Sequence, residues 1–211
     1  MINLLLMIIV CYLVGSIPTA IITGKLLRNI DVRDYGSGNA GATNVFRVLG
    51  WKAGIFVLLV DMAKGFVATV ILYKIAMNSL SNLDADLLQI IAGLSAVFGH
   101  IWTVFANFKG GKGVGAGAGV IIGLVPGAVL VGIAVFIITV VLTRYVSLGS
   151  ILASLTIPIY LFVNRFLLHQ NVSLTLLIFG IFIPILIIST HRSNLKRLVD
   201  GTENKIRLSK T

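Results

Sequence analysis

Residues 114–142 read VGAGAGVIIGLVPGAVLVGIAVFIITVVL, an unbroken run without a charged side chain. Wholly helical, it would be about 43 Å long, against a bilayer core of roughly 30 Å. It therefore reads in one of two ways. Either it is one long tilted helix, or it is two short helices folded back at Pro126-Gly127, close to its middle. In the second case each half is only about 20 Å long and reaches part of the way across. The number of crossings, and the side on which each loop lies, turns on this choice.

The flanking sequence is of the same kind. The chain of 211 residues is 57% hydrophobic and 11% charged, with a mean hydropathy of +1.03, more apolar surface than a water-soluble fold can hide. Spans are expected at 3–23, 51–73, 87–106, 151–168 and 173–190. The first has no basic segment before it and Lys25 after it, so it reads as a retained helix rather than a cleaved leader. Pro18 kinks it, for packing or to shape a site. The net charge is +10, and the basic residues cluster between apolar runs, where they mark the cytoplasmic side.

With 114–142 as one span there are six crossings and no usable charge bias. An inside amino terminus divides Lys and Arg eight to eight, and an outside one strands the basic tail outside. Two short helices give seven crossings. Lys25, Arg28, Arg33, Arg47, Lys52, Lys109, Lys112, Arg144 and six tail residues then lie inside, against Lys74 and Arg165 outside and Lys64 in the membrane. The expected fold is thus all-α: one polytopic integral membrane domain over residues 1–211, with seven helices, two of them short. Its amino terminus is outside and its carboxyl terminus cytoplasmic.

This topology gathers small polar clusters at 36–47, 107–113 and 143–150 on one face, together with His191-Arg192-Ser193-Asn194. Gly36-Ser37-Gly38-Asn39-Ala40-Gly41-Ala42-Thr43-Asn44 can wrap an oxyanion with backbone donors, or is an ordinary loop. Arg47 beyond it offers a bidentate fork. Lys109-Gly110-Gly111-Lys112-Gly113 joins two mobile charges to unshielded N–H groups. Ser37, Asn39 and Asn44 either donate to a phosphate or cap turns. His100 and His191 are general-base or phosphate-donor candidates, or structural histidines. Asp61 and Lys64, three residues apart on one helix face, either neutralise each other or line the site. Gly115-Ala116-Gly117-Ala118-Gly119 reads as close helix packing.

Other classes fit less well. The lysine–glycine cluster lacks P-loop spacing, and no aromatic-interleaved basic groove suggests nucleic acid. Three histidines without a Cys pair or HExxH give no metal site, and the lone Cys11 forms no intrachain disulfide. A transporter should carry inverted repeats with polar gaps at the midplane, whereas these polar residues gather on one face. A non-enzymatic scaffold has no use for such a cluster.

Four stretches, taken in order, resemble one family. Gly36 through Arg47 is similar to the first signature of the bacterial acyl-phosphate:glycerol-3-phosphate acyltransferases. Gly99-His100 with Phe105-Ala106-Asn107-Phe108-Lys109-Gly110-Gly111-Lys112-Gly113 is similar to the second, Arg144-Tyr145-Val146-Ser147-Leu148-Gly149-Ser150 to the third, and His191 through Glu203 to the family's ending. The likeness covers essentially the whole chain. Gly115-Ala116 stands where the family usually has Ala-Thr, which removes a possible hydroxyl donor, and Gly149 stands where Ala is common.

The resemblance implies a seven-helix inner-membrane enzyme with cytoplasmic signatures. Its reaction moves a fatty acyl chain from acyl-phosphate to the 1-hydroxyl of glycerol 3-phosphate, giving lysophosphatidate and phosphate without a cofactor, metal or carrier protein. By that likeness Ser37, Arg47, Lys109, His191 and Asn194 are the catalytic candidates. Gly38, Asn39, Thr43, Asn44, His100, Gly110, Gly111, Lys112, Gly113, Ser147 and Arg192 are the substrate-binding candidates. Membrane lipids are the surroundings, nucleic acid is not a partner, and the chain is expected to act as a monomer.

Acyl-phosphate already carries a good leaving group, so catalysis is expected to rest on positioning and on neutralising two mutually repelling anions. Glycine N–H groups at 110–113 or 38–41 are candidates to hold the tetrahedral oxyanion. The proton goes to His100 or His191, or to the donor's own phosphate. The last is preferred, because the leaving group is adjacent and no His–carboxylate orienting pair is visible in the sequence.

Overall fold

Small residues at helical spacing dictate how the helices meet. The computed structural model describes residues 2–77, 80 and 83–206, so Arg207 and Lys210 of the basic tail lie outside the described residues. The chain divides into two compact units, one ending at Leu124 and the other beginning at Val125.

In the first unit, α1 (Ile2–Ser16) and α6 (Ala85–Ile101) are the main pair. Met7 and Cys11 recur four apart on α1 and are buried in one cluster with Leu88, Ala92 and Ala96 of α6. Further along, Gly15 lies on the Ala96 carbonyl and Gly99 on that of Tyr12, so closely that a methyl at either glycine would overlap backbone. The chain breaks at Ile17-Pro18 and resumes as α2 (Thr19–Arg28), which ends on Asn29 in the left-handed region, with Lys25 and Arg28 complementing the helix dipole. The break is tied to the end of α6. Tyr12 donates to the Trp102 carbonyl at 2.6 Å, Ser16 to that of Gly99 at 3.3 Å, and Thr103 to that of Ser16.

The polar segment 24–50, between the first two long helical stretches, is ordered. Asp31 caps a 3₁₀ turn at Val32–Asp34, and α3 (Ala42–Leu49) packs on α4 (Trp51–Val67). Ala20, Val32, Ala40, Val45, Ala53 and Val57 form the core beneath it. A widened turn at Ala68–Leu72 follows α4 and leads to the short α5 (Lys74–Met77). α7 (Val114–Leu124) lies along α4, with Gly65 on the Ala116 carbonyl and Gly119 on that of Met62. The small-residue run therefore serves helix packing as expected, although nothing approaches the open side of Gly117.

The apolar run from 114 to 142 is two helices, but not two equal ones. The break falls at Val125 and Pro126 occupies the first helical position, where its missing N–H costs nothing. α7 is 11 residues, about 16 Å, and α8 (Pro126–Thr143) is 18 residues, about 27 Å, so only α8 is long enough alone to cross.

In the second unit, α8 packs on α9 (Val146–Phe162) and α9 on α10 (Leu174–Thr190). α9 begins five residues earlier than the expected span, so the third signature forms its first turn rather than a loop. Ser173 caps α10 by accepting the Leu176 N–H. At His191 the chain bends by 63° into α11 (Arg192–Val199). The protein is all-α and multi-pass. Among the described residues five continuous helical stretches are long and apolar enough to cross a membrane, six if the bent pair α10–α11 counts as one. Large apolar side chains such as Leu130, Ile138 and Leu142 on α8 point outward, which lipid tolerates and water does not.

Candidate active site

In the first unit the turn of the first signature needs φ > 0 at Gly36 and Gly38. Asn44, almost fully buried, holds that turn. Its Oδ1 accepts from the Ser37 N–H at 2.8 Å and the Ser37 hydroxyl at 3.1 Å, while its amide donates to the carbonyls of Val32 at 2.7 Å and Tyr35 at 3.1 Å. Asn44 is thus a scaffold residue, and the expectation that it donates to substrate gives way to turn-holding. Ser37 and Thr43 are half-buried. Thr43 and Arg47, four apart, share one face of α3.

The second signature is a tight reversal at the end of α6. Asn107 and Phe108 both take left-handed backbone, and a 3₁₀ turn at Val104–Ala106 precedes them. The Gly110 N–H donates to the Ile101 carbonyl and the Gly111 N–H to that of His100, both at 3.0 Å. The Gly38 N–H likewise donates to Tyr35 at 3.1 Å. These three donors are committed to closing turns, which corrects their expected role in an oxyanion hole. Lys109 is exposed and Lys112 half-buried, one on each side of the Gly-Gly joint.

Two residues absent from the candidate set join the signatures. Asp31 and Arg33 form a 2.7 Å ion pair. From it the Arg33 guanidinium donates to the carbonyls of Ala106 at 3.0 Å and Lys109 at 3.4 Å. The Arg33 hydrogen bond and charge hold the Asp31 carboxyl below its usual value against a smaller cost of burial. Asn39 adds a 3.5 Å contact to the Gly110 carbonyl. A sequence signal for Arg33 existed only as one more inside charge.

The structure also supplies the His–carboxylate pair that the sequence did not show. His100 Nδ1 lies 3.6 Å from Asp61 Oδ1, and Asp61 and Lys64 touch at 2.7 Å. Gly111 packs on the opposite, Nε2 edge of the His100 ring. This edge faces the protein's own backbone, which makes His100 a poor base for a bound substrate.

In the second unit the polar group centres on Glu203, which is 7% exposed. Its Oε1 accepts from the Ser147 hydroxyl at 2.8 Å and the Asn194 amide at 2.7 Å, and its Oε2 from Arg197 Nε at 2.7 Å. Burial pushes the Glu203 carboxyl up. Hydrogen bonds from Asn194, Arg197 and Ser147 and the Arg197 charge outweigh that, so it stays below the ordinary glutamate value. The Ser147 hydroxyl therefore donates its hydrogen bond to Glu203. His191 is buried at the α10–α11 bend, and its Nδ1 is 2.8 Å from the Ile187 carbonyl. A carbonyl can only accept, so Nδ1 carries the proton in this bond. Arg192 is exposed. The Ile206 N–H donates to the Arg144 carbonyl at 2.9 Å, which seats the end of the described chain on the third signature.

The structure thus brings Ser37, Gly38, Asn39, Thr43, Asn44, Arg47, His100 and 109–113 into one unit, and Ser147, His191, Arg192 and Asn194 into the other. Fold and polar signatures define a multi-pass, all-helical membrane protein with cationic side chains at its helix ends. Residues 5–201 match the family described as glycerol-3-phosphate acyltransferase. The enzyme of that name from Chlorobaculum parvum is 47% identical over 98% of this chain and 97% of its own length. The one from Chlorobium chlorochromatii is 46% identical over 100% of both. A crystal structure of PlsY (YgiH), an integral membrane glycerol 3-phosphate acyltransferase in its glycerol 3-phosphate form, is similar with a TM-score of 0.83 and 38% identity over 97% of this chain and 96% of that one. Its lysophosphatidic acid form is similar at 0.81 and 37%, over 97% and 95%. The chain belongs to the glycerol-3-phosphate acyltransferase family.

Proposed function

We propose that this chain transfers a fatty acyl group from acyl-phosphate to the 1-hydroxyl of sn-glycerol 3-phosphate, in phospholipid synthesis. The products are 1-acyl-sn-glycerol 3-phosphate and inorganic phosphate. The observation that carries the reading is the likeness over 97% of the chain to a relative seen in both a glycerol 3-phosphate form and a lysophosphatidic acid form, the acceptor and its acylated product.

In this reading the C1 oxygen of glycerol 3-phosphate attacks the acyl carbonyl, an ester C–O bond forms, and the anhydride C–O bond breaks. The departing phosphate takes the electron pair and the hydroxyl proton. Arg47, Lys109, Lys112 and Arg192 offset the repulsion of the two anions, an effect that strengthens beside a low-dielectric membrane. Ser37, His191 and Asn194 position the phosphates, with Gly38, Asn39, Thr43 and Gly113 around them. Asn44, Ser147, Gly110 and Gly111 act from behind by shaping the turns. Of the two histidines His191 remains the alternative proton acceptor.

The seven-crossing arrangement is also part of the proposal: five long helices, the bent α10–α11 pair and the short α7, in the bacterial inner membrane as a monomer. The distribution of Lys and Arg supports an outside amino terminus and a cytoplasmic site.

The test is purified protein in detergent with palmitoyl phosphate and glycerol 3-phosphate. Phosphate release that needs both substrates, with lysophosphatidate formed, is expected. Well-folded protein that yields neither would end the reading.

A further inference from the structure

In the first unit Asp61 at 3% exposure, Lys64 at 5% and His100 at 7% lie buried side by side without a part in the chemistry above. They form a continuous chain. The Lys64 ammonium has three protons, and each has a partner: Asp61 Oδ1 at 2.7 Å, the Ile17 carbonyl at 2.6 Å and the Thr19 hydroxyl at 2.5 Å. The last two belong to the break between α1 and α2. Asp61 next faces His100 Nδ1 at 3.6 Å. On its other edge the His100 ring lies against Gly111, where an added methyl would run into Nε2 and Cε1. The His100 carbonyl accepts the Gly111 N–H, and Gly110 rests on that same carbonyl.

Between these groups is a cavity of about 10 Å³, room for one water. Its wall includes Ala40 of the first signature and Gly110-Gly111 of the second, besides Asp61, His100 and Pro18. The ionic chain therefore runs directly beneath both signatures.

We propose that Lys64, Asp61 and His100 are positioning residues. Lys64 anchors Asp61 to the Pro18 break, Asp61 fixes the tilt of the His100 ring, and the ring sets the height of the Gly110-Gly111 joint that carries Lys109 and Lys112. A buried pair that costs desolvation energy is worth keeping where it selects one arrangement over its neighbours. This rests on the proposed reaction for its consequence, a loop held at the spacing of a phosphate, but not for its geometry.

The test compares His100→Asn, whose amide can replace the Nδ1 donor to Asp61, with His100→Leu, which fills the space and makes no bond. Two quantities are read: amide hydrogen exchange at Gly110 and Gly111, and KM and kcat with palmitoyl phosphate and glycerol 3-phosphate. In His100→Leu, exchange at the two glycines should rise at least roughly tenfold and kcat/KM fall by up to roughly a hundredfold, mostly through KM. His100→Asn should restore most of both.

Unchanged glycine exchange in His100→Leu overturns the proposal, whatever the substrate. Equal loss of kcat in both variants, with one limb of the pH profile gone, overturns it in favour of His100 as the base. Wild-type protein inactive on these substrates, yet with exchange altered as expected, keeps the positioning device and rejects the reaction. If His100→Leu does not fold, Asp61→Asn with Lys64→Met removes both buried charges together and reads the same quantities.

Discussion

Replacing Glu203 by Gln keeps the shape of the side chain and removes its charge, and the structure sets the size of the effect. Arg197 loses a 2.7 Å charge-assisted bond, but its side chain is one-third exposed and can turn to water, so that loss is about 1 kcal/mol. Ser147 and Asn194, both buried, keep a neutral acceptor in place of a charged one, at about 1 kcal/mol each. The total of about 3 kcal/mol corresponds to a thermal midpoint lower by about 6–12 °C for a chain of this size. The assay is thermal unfolding of detergent-solubilised protein at one scan rate, because unfolding of such proteins is commonly irreversible.

The acid dependence provides a second reading of the same residue. The folded Glu203 carboxyl titrates below its unfolded value, so between the two values the unfolded chain binds more protons and stability rises as pH rises. The contribution is whole above about pH 4.3 and is lost as pH drops through the lower folded value. Glu203→Gln should slope less steeply than the wild type over that window, the remainder belonging to other depressed carboxyls such as Asp31. A Gln variant that melts within about 2 °C of the wild type, or shows the same acid slope, would refute the account of this knot.

Gly111→Ala should fold less stably by about 1–3 kcal/mol and lose most activity, since the methyl meets the His100 ring. Gly117→Ala meets nothing and should instead gain about 0.5–1 kcal/mol from helix propensity, read as a rise in thermal midpoint. Asn44→Ala leaves four hydrogen-bonding groups of one turn without their partner and should cost about 2–4 kcal/mol, with kcat/KM falling alongside the melting point. Membrane-impermeant thiol labelling in a Cys11→Ser background should modify both Asn29→Cys and Lys205→Cys only from inside. Labelling of the two positions from opposite sides would restore the six-crossing topology.

What was legible in the sequence followed from local pattern. Apolar length located the helices, Pro126 located the break in the long run, and the Gly-Ala repeat announced a tight seam. The unequal halves were not legible. The break is set by non-helical backbone at Val125 with Pro126 already helical, and composition is uniform on both sides. The residues missed or misassigned are those whose partners lie far along the chain. Ser147 meets Glu203 across 56 positions and Arg33 meets Ala106 across 73. Asp61 and His100 stand on different helices, where periodicity says which face each occupies and nothing of the facing register. The sequence leaves Asn44 as a phosphate donor or a turn cap, and only its folded partners show that both ends of its amide are committed to its own turn.

The backbone contacts at Gly15, Gly99, Gly65 and Gly119 have a bearing on how such a protein lives among its own products. Fatty tails are good solvents for leucine faces, and a protein surrounded by them has to keep some joints that they do not dissolve. Where one main chain rests on another there is no furrow wide enough to admit a hydrocarbon chain and no side chain to swing aside for it. The seams between α1 and α6 and between α4 and α7 are thus closed to lubrication by lipid. A hydrocarbon chain is left to the softer, side-chain-lined surfaces elsewhere.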